Sequence, residues 1–314
     1  MNLFVRLLTF VVCGALSAHA QGSRDMLIIV SDPGEAVYQS EFHRQAQAWQ
    51  NLAAKGNFKC QTIGLAESSS EDDLTTLTNT LNQLEKTGDD LWLIWIGHGS
   101  FDGRTANFNL RGKDIDAPAV QKLLKPFSRR LIILNLFSAS FPFLPPLVGE
   151  NRIIVGPVRS PNQRNYTRFG EKIADALEDS TLAADLDLDG ALSLLELTLQ
   201  ASSQTKAFYD DEQRVVQENA IIEDNGDGSP TEVTTFEGLI STAGEDGPTA
   251  REIYLLAPSE SPKLSAQAKK DRSQIEQAIN ALRQRKPHLP EDEYYRQLEA
   301  LMREMAKIYR KKPR

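Results

Sequence analysis

The stretch Leu91-Trp92-Leu93-Ile94-Trp95-Ile96-Gly97-His98-Gly99-Ser100 decides the fold. Six consecutive apolar residues closed by a glycine do not alternate, so both faces of the segment must be buried, as in the inner strands of a parallel sheet. A second run, Leu131-Ile132-Ile133-Leu134, leads into Asn135-Leu136-Phe137-Ser138-Ala139-Ser140. In sheets of this kind functional groups stand on the loops at the carboxyl ends of the strands. The two runs therefore predict His98 and Ser138 at one crevice, an imidazole beside a hydroxyl.

Working outward, strands and helices alternate. Met26–Val30 reads as a first strand, and Phe42, Ala46, Trp49 and Leu52 mark one face of a helix. Phe58–Ile63 reads as a strand carrying Cys60, and Asp72-Asp73 opens a helix with Leu74, Leu77, Leu81 and Leu84 on one side. A helix near Ala119–Leu124, a strand at Arg152–Val155 and a helix from Phe169 to Leu177 complete the series. Alternation of this sort predicts an α/β domain, a mostly parallel sheet with helices on both faces, over residues 21–180.

The pattern of an apolar strand ending in His-Gly, then a second apolar strand ending in a small nucleophile motif, resembles the caspase and legumain group of cysteine peptidases. Over residues 25–180 the resemblance implies that group's fold, with His98 as base and the N–H of Gly99 helping to hold an oxyanion. Aligned on the family's Cys-x-Ser-Gly, this chain reads Ser138-Ala139-Ser140-Phe141, with serine at the cysteine position and Phe141 in place of glycine. A register shifted by one would put Phe137 there instead. A serine hydroxyl needs a base within hydrogen-bond reach and usually a third group to orient that base. No third group stands out in the sequence. Two outcomes are therefore open: a catalytically impaired homologue that binds a peptide or partner, or an endopeptidase using Ser138 and His98. The plainer alternative makes Ser138 and Ser140 turn residues. The segment Arg159–Asn165 resembles the loop that shapes the family's substrate pocket, with Arg159 and Arg164 able to pair with an acidic side chain; both could equally be exposed loop arginines.

A separate motif follows. Asp185-Leu186-Asp187-Leu188-Asp189-Gly190-Ala191-Leu192-Ser193-Leu194-Leu195-Glu196 has the twelve-residue spacing of an EF-hand calcium loop. Calcium takes hard oxygen ligands, and the pattern offers carboxylates from Asp185, Asp187 and Asp189, the Ala191 carbonyl, Ser193 and a closing Glu196. Leu188 departs from the usual small or polar residue, and an acidic helix start without metal is the alternative. Glu223–Gly228 is a second acidic, glycine-bearing stretch without equivalent closure, read as a loop.

The ends add three expectations. Arg6, the apolar stretch Leu7–Leu16 and Ala18-His19-Ala20 predict a secretory signal, residues 1–20, cleaved after Ala20, and thus export to a periplasm or beyond the cell. That stretch is too short to favour a membrane span. Residues 181–262 hold the calcium loop and an acidic, Gly- and Pro-rich region, and residues 263–314 predict a helical hairpin. Its stripes are Ile275, Ile279 and Leu282, then Tyr294, Leu298, Leu301, Met305 and Ile308, parted by Pro287–Pro290, and they offer a surface for self-association, which makes a scaffold the third reading.

Charge and cysteine bound the rest. The net charge is −8, yet from Ser259 onward 14 Lys/Arg face 8 Asp/Glu, so the acid lies in the main body and argues against a nucleic-acid partner. Of two cysteines one lies in the signal, leaving Cys60 as a structural thiol, while His43 and His288 lack metal-ligand neighbours.

Overall fold

The structure is a computed structural model that describes residues 24–66, 71–179, 184–187, 189–256, 267–268, 271–272, 274–275, 278–279, 282 and 285–310. The expected secretory signal lies outside the described residues, as does Leu188 of the expected calcium loop.

The first half runs β1 (Arg24–Val30), α1 (Ala36–Lys55), β2 (Phe58–Ile63), α2 (Asp73–Gln83), β3 (Leu91–Gly97), β4 (Gly99–Phe101), β5 (Ala106–Phe108), β6 (Ile115–Asp116), α3 (Ala117–Leu124) and β7 (Leu131–Phe137). It continues through α4 (Leu144–Leu147), β8 (Arg152–Gly156), α5 (Phe169–Glu178), β9 (Leu192–Ser193) and α6 (Leu194–Asp211). Then come β10 (Ile221–Glu223), β11 (Thr231–Glu232), β12 (Phe236–Glu237), β13 (Ile240–Ser241), α7 (Pro248–Arg251), β14 (Tyr254–Leu256) and α8 (Glu291–Arg310).

One seven-stranded sheet has the order β11-β10-β8-β7-β3-β1-β2. The strands β2, β1, β3, β7 and β8 are parallel, as the apolar runs predict, and β10 joins β8 antiparallel. Every residue of β3 and of β7 is buried. Alternate residues serve two cores. Met26, Ile28, Trp92, Ile94, Ile132 and Leu134 pack with Phe42, Trp49, Phe169 and Ile173 of α1 and α5. Leu27, Ile29, Leu93, Trp95, Leu131 and Ile133 pack on the opposite face with Leu77, Leu81, Val120 and Leu124 of α2 and α3. Each fully buried large side chain contributes roughly 1.5–3 kcal/mol.

Local chemistry starts the helices on that second face. Asp72 accepts from the Thr75 N–H at 2.8 Å to cap α2, and Asp116 does the same for α3 through Ala119 at 2.8 Å. Because β1 pairs with both β2 and β3, and α1 and α2 cover opposite faces, the crossover direction reverses between β1 and β3. At such a point the loops after the two strands part and leave a crevice. His98 follows β3 there.

Two parts of the fold go beyond the sequence expectations. The strands β4, β5 and β6 form a small antiparallel sheet over the carboxyl end of β3. The main sheet is extended by β10, of which only Glu223 belongs to a stretch read as loop, and by β11 within the acidic, Gly- and Pro-rich region. In the C-terminal region the second apolar stripe falls on α8. Among the described residues no helix is long and apolar enough to cross a membrane.

Candidate functional site

The His98 loop is held by a seryl cap from the neighbouring strand. Gly97 has φ +134°, and a Cβ there would lie 1.9 Å from Ser31 Oγ, so only glycine lets the chain pass. The passage lets Ser31 Oγ accept from the His98 N–H at 2.8 Å. Asp32 N–H donates to the Asn109 carbonyl at 2.8 Å, and Asn109 N–H to the His98 carbonyl at 3.1 Å, tying the loops after β1, β3 and β5 together.

The imidazole of His98 sits in an aromatic nest. Its ring meets Tyr38 edge-on at 4.6 Å between centroids, Phe42 at 4.9 Å and Tyr166 at 5.8 Å. Burial pushes its pKa down, opposed by a hydrogen bond to the Pro33 carbonyl and by the charges of Asp32 and Glu35. Tyr166 in turn donates to Glu171 at 2.8 Å.

Ser138 ends β7 at the neighbouring position. It is buried, and its Oγ accepts from the Gly99 N–H at 3.2 Å and donates to the Gly99 carbonyl at 3.2 Å. The hydroxyl proton is thus directed to a backbone carbonyl, and the imidazole to Pro33 and the aromatic nest. Gly99 has no room for a side chain: a Cβ would lie 2.5 Å from the Ser138 carbonyl oxygen and 2.6 Å from the Phe137 ring. Ala139 takes φ +58°, a left-handed conformation that costs a residue with a Cβ on the order of 1 kcal/mol. Ser140 Oγ is buried without a hydrogen-bond partner.

The two loop arginines point to separate partners. Arg159 is ion-paired with Glu232 of β11. Arg164 donates to the Phe101 carbonyl at 3.3 Å and lies 5.1 Å over the Phe101 ring, which brings it to the β4 side of the crevice.

The acidic loop forms a second cluster. Carboxylate oxygens of Asp185, Asp187 and Asp189 lie within 4.8 Å of one another. At an effective dielectric constant near 20, each pair of full charges at that distance repels by about 3 kcal/mol, so the cluster calls for a cation. Two guanidiniums supply positive charge: Arg251, 3.0 Å from Asp187, and Arg272, paired with Asp187 and 3.3 Å from Asp189. Asp187 Oδ1 is shielded from solvent and has no hydrogen-bond partner, an orphaned oxygen of the kind a metal would use.

Glu196 stands apart from that triad. Its Oε1 accepts from Leu186 N–H at 2.9 Å and Asp187 N–H at 3.3 Å, and its Oε2 from Ser193 N–H at 2.9 Å and Ser193 Oγ at 2.7 Å. Ser193 caps α6 in return, accepting from Glu196 N–H at 3.2 Å. Burial raises the Glu196 pKa against these donors. The donor set therefore fits calcium in its three aspartates, and Glu196 would have to turn from its backbone partners to close the sphere. The carbonyl of Ala191 precedes β9, which pairs antiparallel with β14.

No family model matches the sequence, and a search of curated proteins finds no relative. Among solved structures the chain is similar to the Drosophila initiator caspase Dronc, at 11% identity and a TM-score of 0.43, over 65% of this chain and 80% of that one. It is also similar to a protein of Geobacter sulfurreducens, at 12% identity and a TM-score of 0.42, over 64% of this chain and 93% of that one. Both scores lie below 0.5, and the chemistry rests on the residues themselves.

Sequence reasoning missed Ser31, Tyr38, Phe42 and Tyr166 as neighbours of His98. Ser31 was within reach, because it directly follows the apolar strand β1 at the carboxyl edge. The aromatic residues carried no such signal: Phe42 belongs to the apolar face of α1, and Tyr166 lies in a loop brought back by β8.

Proposed function

We propose that this chain is an exported homologue of the caspase and legumain peptidases, impaired at Ser138, that binds a peptide or protein segment at the carboxyl edge of its sheet and calcium at the acidic loop. The observation that carries the reading is the hydrogen bonding of Ser138. Its hydroxyl is matched to the Gly99 N–H and carbonyl, each at 3.2 Å, while His98 is turned into the nest of Tyr38, Phe42 and Tyr166. A general base must reach the proton it removes. Neither group is set for that task in this arrangement.

Calcium would be held by Asp185, Asp187 and Asp189, with the Ala191 carbonyl, Ser193 and Glu196 as the remaining oxygens of the loop. The convergence of three carboxylates and the orphaned Asp187 Oδ1 support this part. Its chemistry would be structural: neutralising the carboxylates and fixing the start of α6.

An active endopeptidase is the second reading, and one observation favours it. Ala139 holds a left-handed conformation where β7 ends, and it is at such strained turns after a strand that nucleophiles are presented. On that reading Ser138 attacks, His98 takes its proton after a shift out of the aromatic nest, and the Gly99 N–H faces the oxyanion.

The test is peptide-library cleavage by the purified protein with calcium, beside Ser138→Ala. The impaired reading expects no cleavage from either protein. Cleavage that disappears with Ser138→Ala would replace it with the serine-peptidase reading.

A further inference from the structure

Arg272 comes from the C-terminal region, 85 residues away in sequence from Asp187, yet its guanidinium spans the acidic loop. One nitrogen pairs with Asp187 Oδ2 and the other lies 3.3 Å from Asp189 Oδ2. The three side chains are well shielded, at 14% exposure for Arg272, 17% for Asp187 and 12% for Asp189. Pairs screened this little from each other interact more strongly than those on an open surface. Arg251, at the end of α7, reaches the same Asp187 oxygen at 3.0 Å.

Asp187 and Asp189 are the third and fifth residues of the twelve-residue loop, two of the positions whose carboxylates a calcium ion would take. An ion bound about 2.4 Å from those oxygens would bring two further positive charges to within roughly 5 Å of the Arg272 guanidinium. While Glu196 stays on its backbone partners, the three aspartates alone face calcium, Arg251 and Arg272, and positive charge is in excess at the loop.

Resting on the calcium reading of the loop, we propose that Arg272 is a tethered counter-cation of the site, and that calcium displaces it. Without calcium, Arg272 clips the C-terminal region to the loop. With calcium, the clip opens and the chain around Arg272 is released, so the ion level sets whether this point is fastened to the acidic loop. Arg251 sits on the short helix just before β14, whose partner β9 belongs to the loop itself, so its attachment does not depend on the clip.

Calorimetric calcium titrations of the full-length protein, of Arg272→Gln and of Arg303→Gln test this, together with hydrogen exchange of residues 267–282 in the wild type with and without calcium. The expectation is at least fivefold tighter calcium binding in Arg272→Gln, unchanged binding in Arg303→Gln, which removes the same charge from the exposed face of α8, and faster exchange of the segment when calcium is present. Calcium binding of equal or weaker affinity in Arg272→Gln, an equal gain in Arg303→Gln, or exchange that calcium leaves unchanged or slows would overturn the clip while leaving the calcium site standing. Failure of all three proteins to bind calcium would overturn both.

Discussion

Gly99 carries the tightest constraint in the crevice. Its place between the Ser138 carbonyl and the Phe137 ring leaves no space for even a methyl group, and those neighbours are backbone and a fully buried ring that cannot step aside. Gly99→Ala is expected to cost about 1–3 kcal/mol, the usual range for overpacking, and to lower the urea midpoint at unchanged m-value. His98 gives a prediction in pH. Burial lowers its pKa below that of the unfolded chain, near 6.5, so below that pH the unfolded state binds the extra proton. Stability from this residue is complete above about pH 6.5 and declines as the pH falls toward the folded pKa. His98→Phe keeps the ring contacts with Tyr38 and Phe42 and removes the proton site, so thermal unfolding between pH 7 and 5 should lose this part of its slope. Glu223 runs the other way. It is fully buried with Oε2 unpartnered, and burial, then the nearby Asp246 and Asp227 charges, raise its pKa. Glu223→Gln removes the charge at neutral pH while its amide oxygen can still accept from Gly226 N–H, so it should raise the unfolding temperature at pH 7 by a few degrees and change little under acid conditions.

At the scale of elements, α6 and the acidic loop depend on a single pair of residues. Ser193 and Glu196 cap each other, and Glu196 also satisfies the N–H groups of Leu186 and Asp187. Ser193→Ala is expected to cost about 1 kcal/mol, as an N-cap loss does. Glu196→Ala should cost more, because it orphans three backbone donors at once. Amide exchange at Leu186, Asp187 and Ser193 checks this: all three should speed up in Glu196→Ala. The long elements were legible beforehand because β1, β3 and β7 each contain an apolar run of at least four residues and α2 has leucines at helical spacing. The strands β4 to β6, β10 and β11 were not. They have two or three residues each, too short for a period to show, and they exist only because neighbouring strands offer them partners.

Across the whole molecule, calcium should act as a ligand of the folded state alone. At a hundred times its dissociation constant it would add about 2.7 kcal/mol, and the unfolding temperature should rise with calcium and fall back on chelation. Asp187→Asn with Asp189→Asn should abolish the rise, even though it also frees Arg272. What the amino-acid sequence determined by itself was the α/β alternation, the parallel core, and the His98, Ser138 and Asp185–Glu196 positions at strand ends and on a loop. Those follow from hydrophobic periodicity and fixed ligand spacing, which are local along the chain. Only the tertiary structure decided which way the side chains face: Ser138 toward the Gly99 backbone, His98 toward Tyr38, Phe42 and Tyr166, and Arg272 across the acidic loop. These pairings join residues from 39 to 85 positions apart, and a hydrogen bond or ion pair forms with whichever partner the packed core brings within about 3 Å. No spacing rule contains that distance.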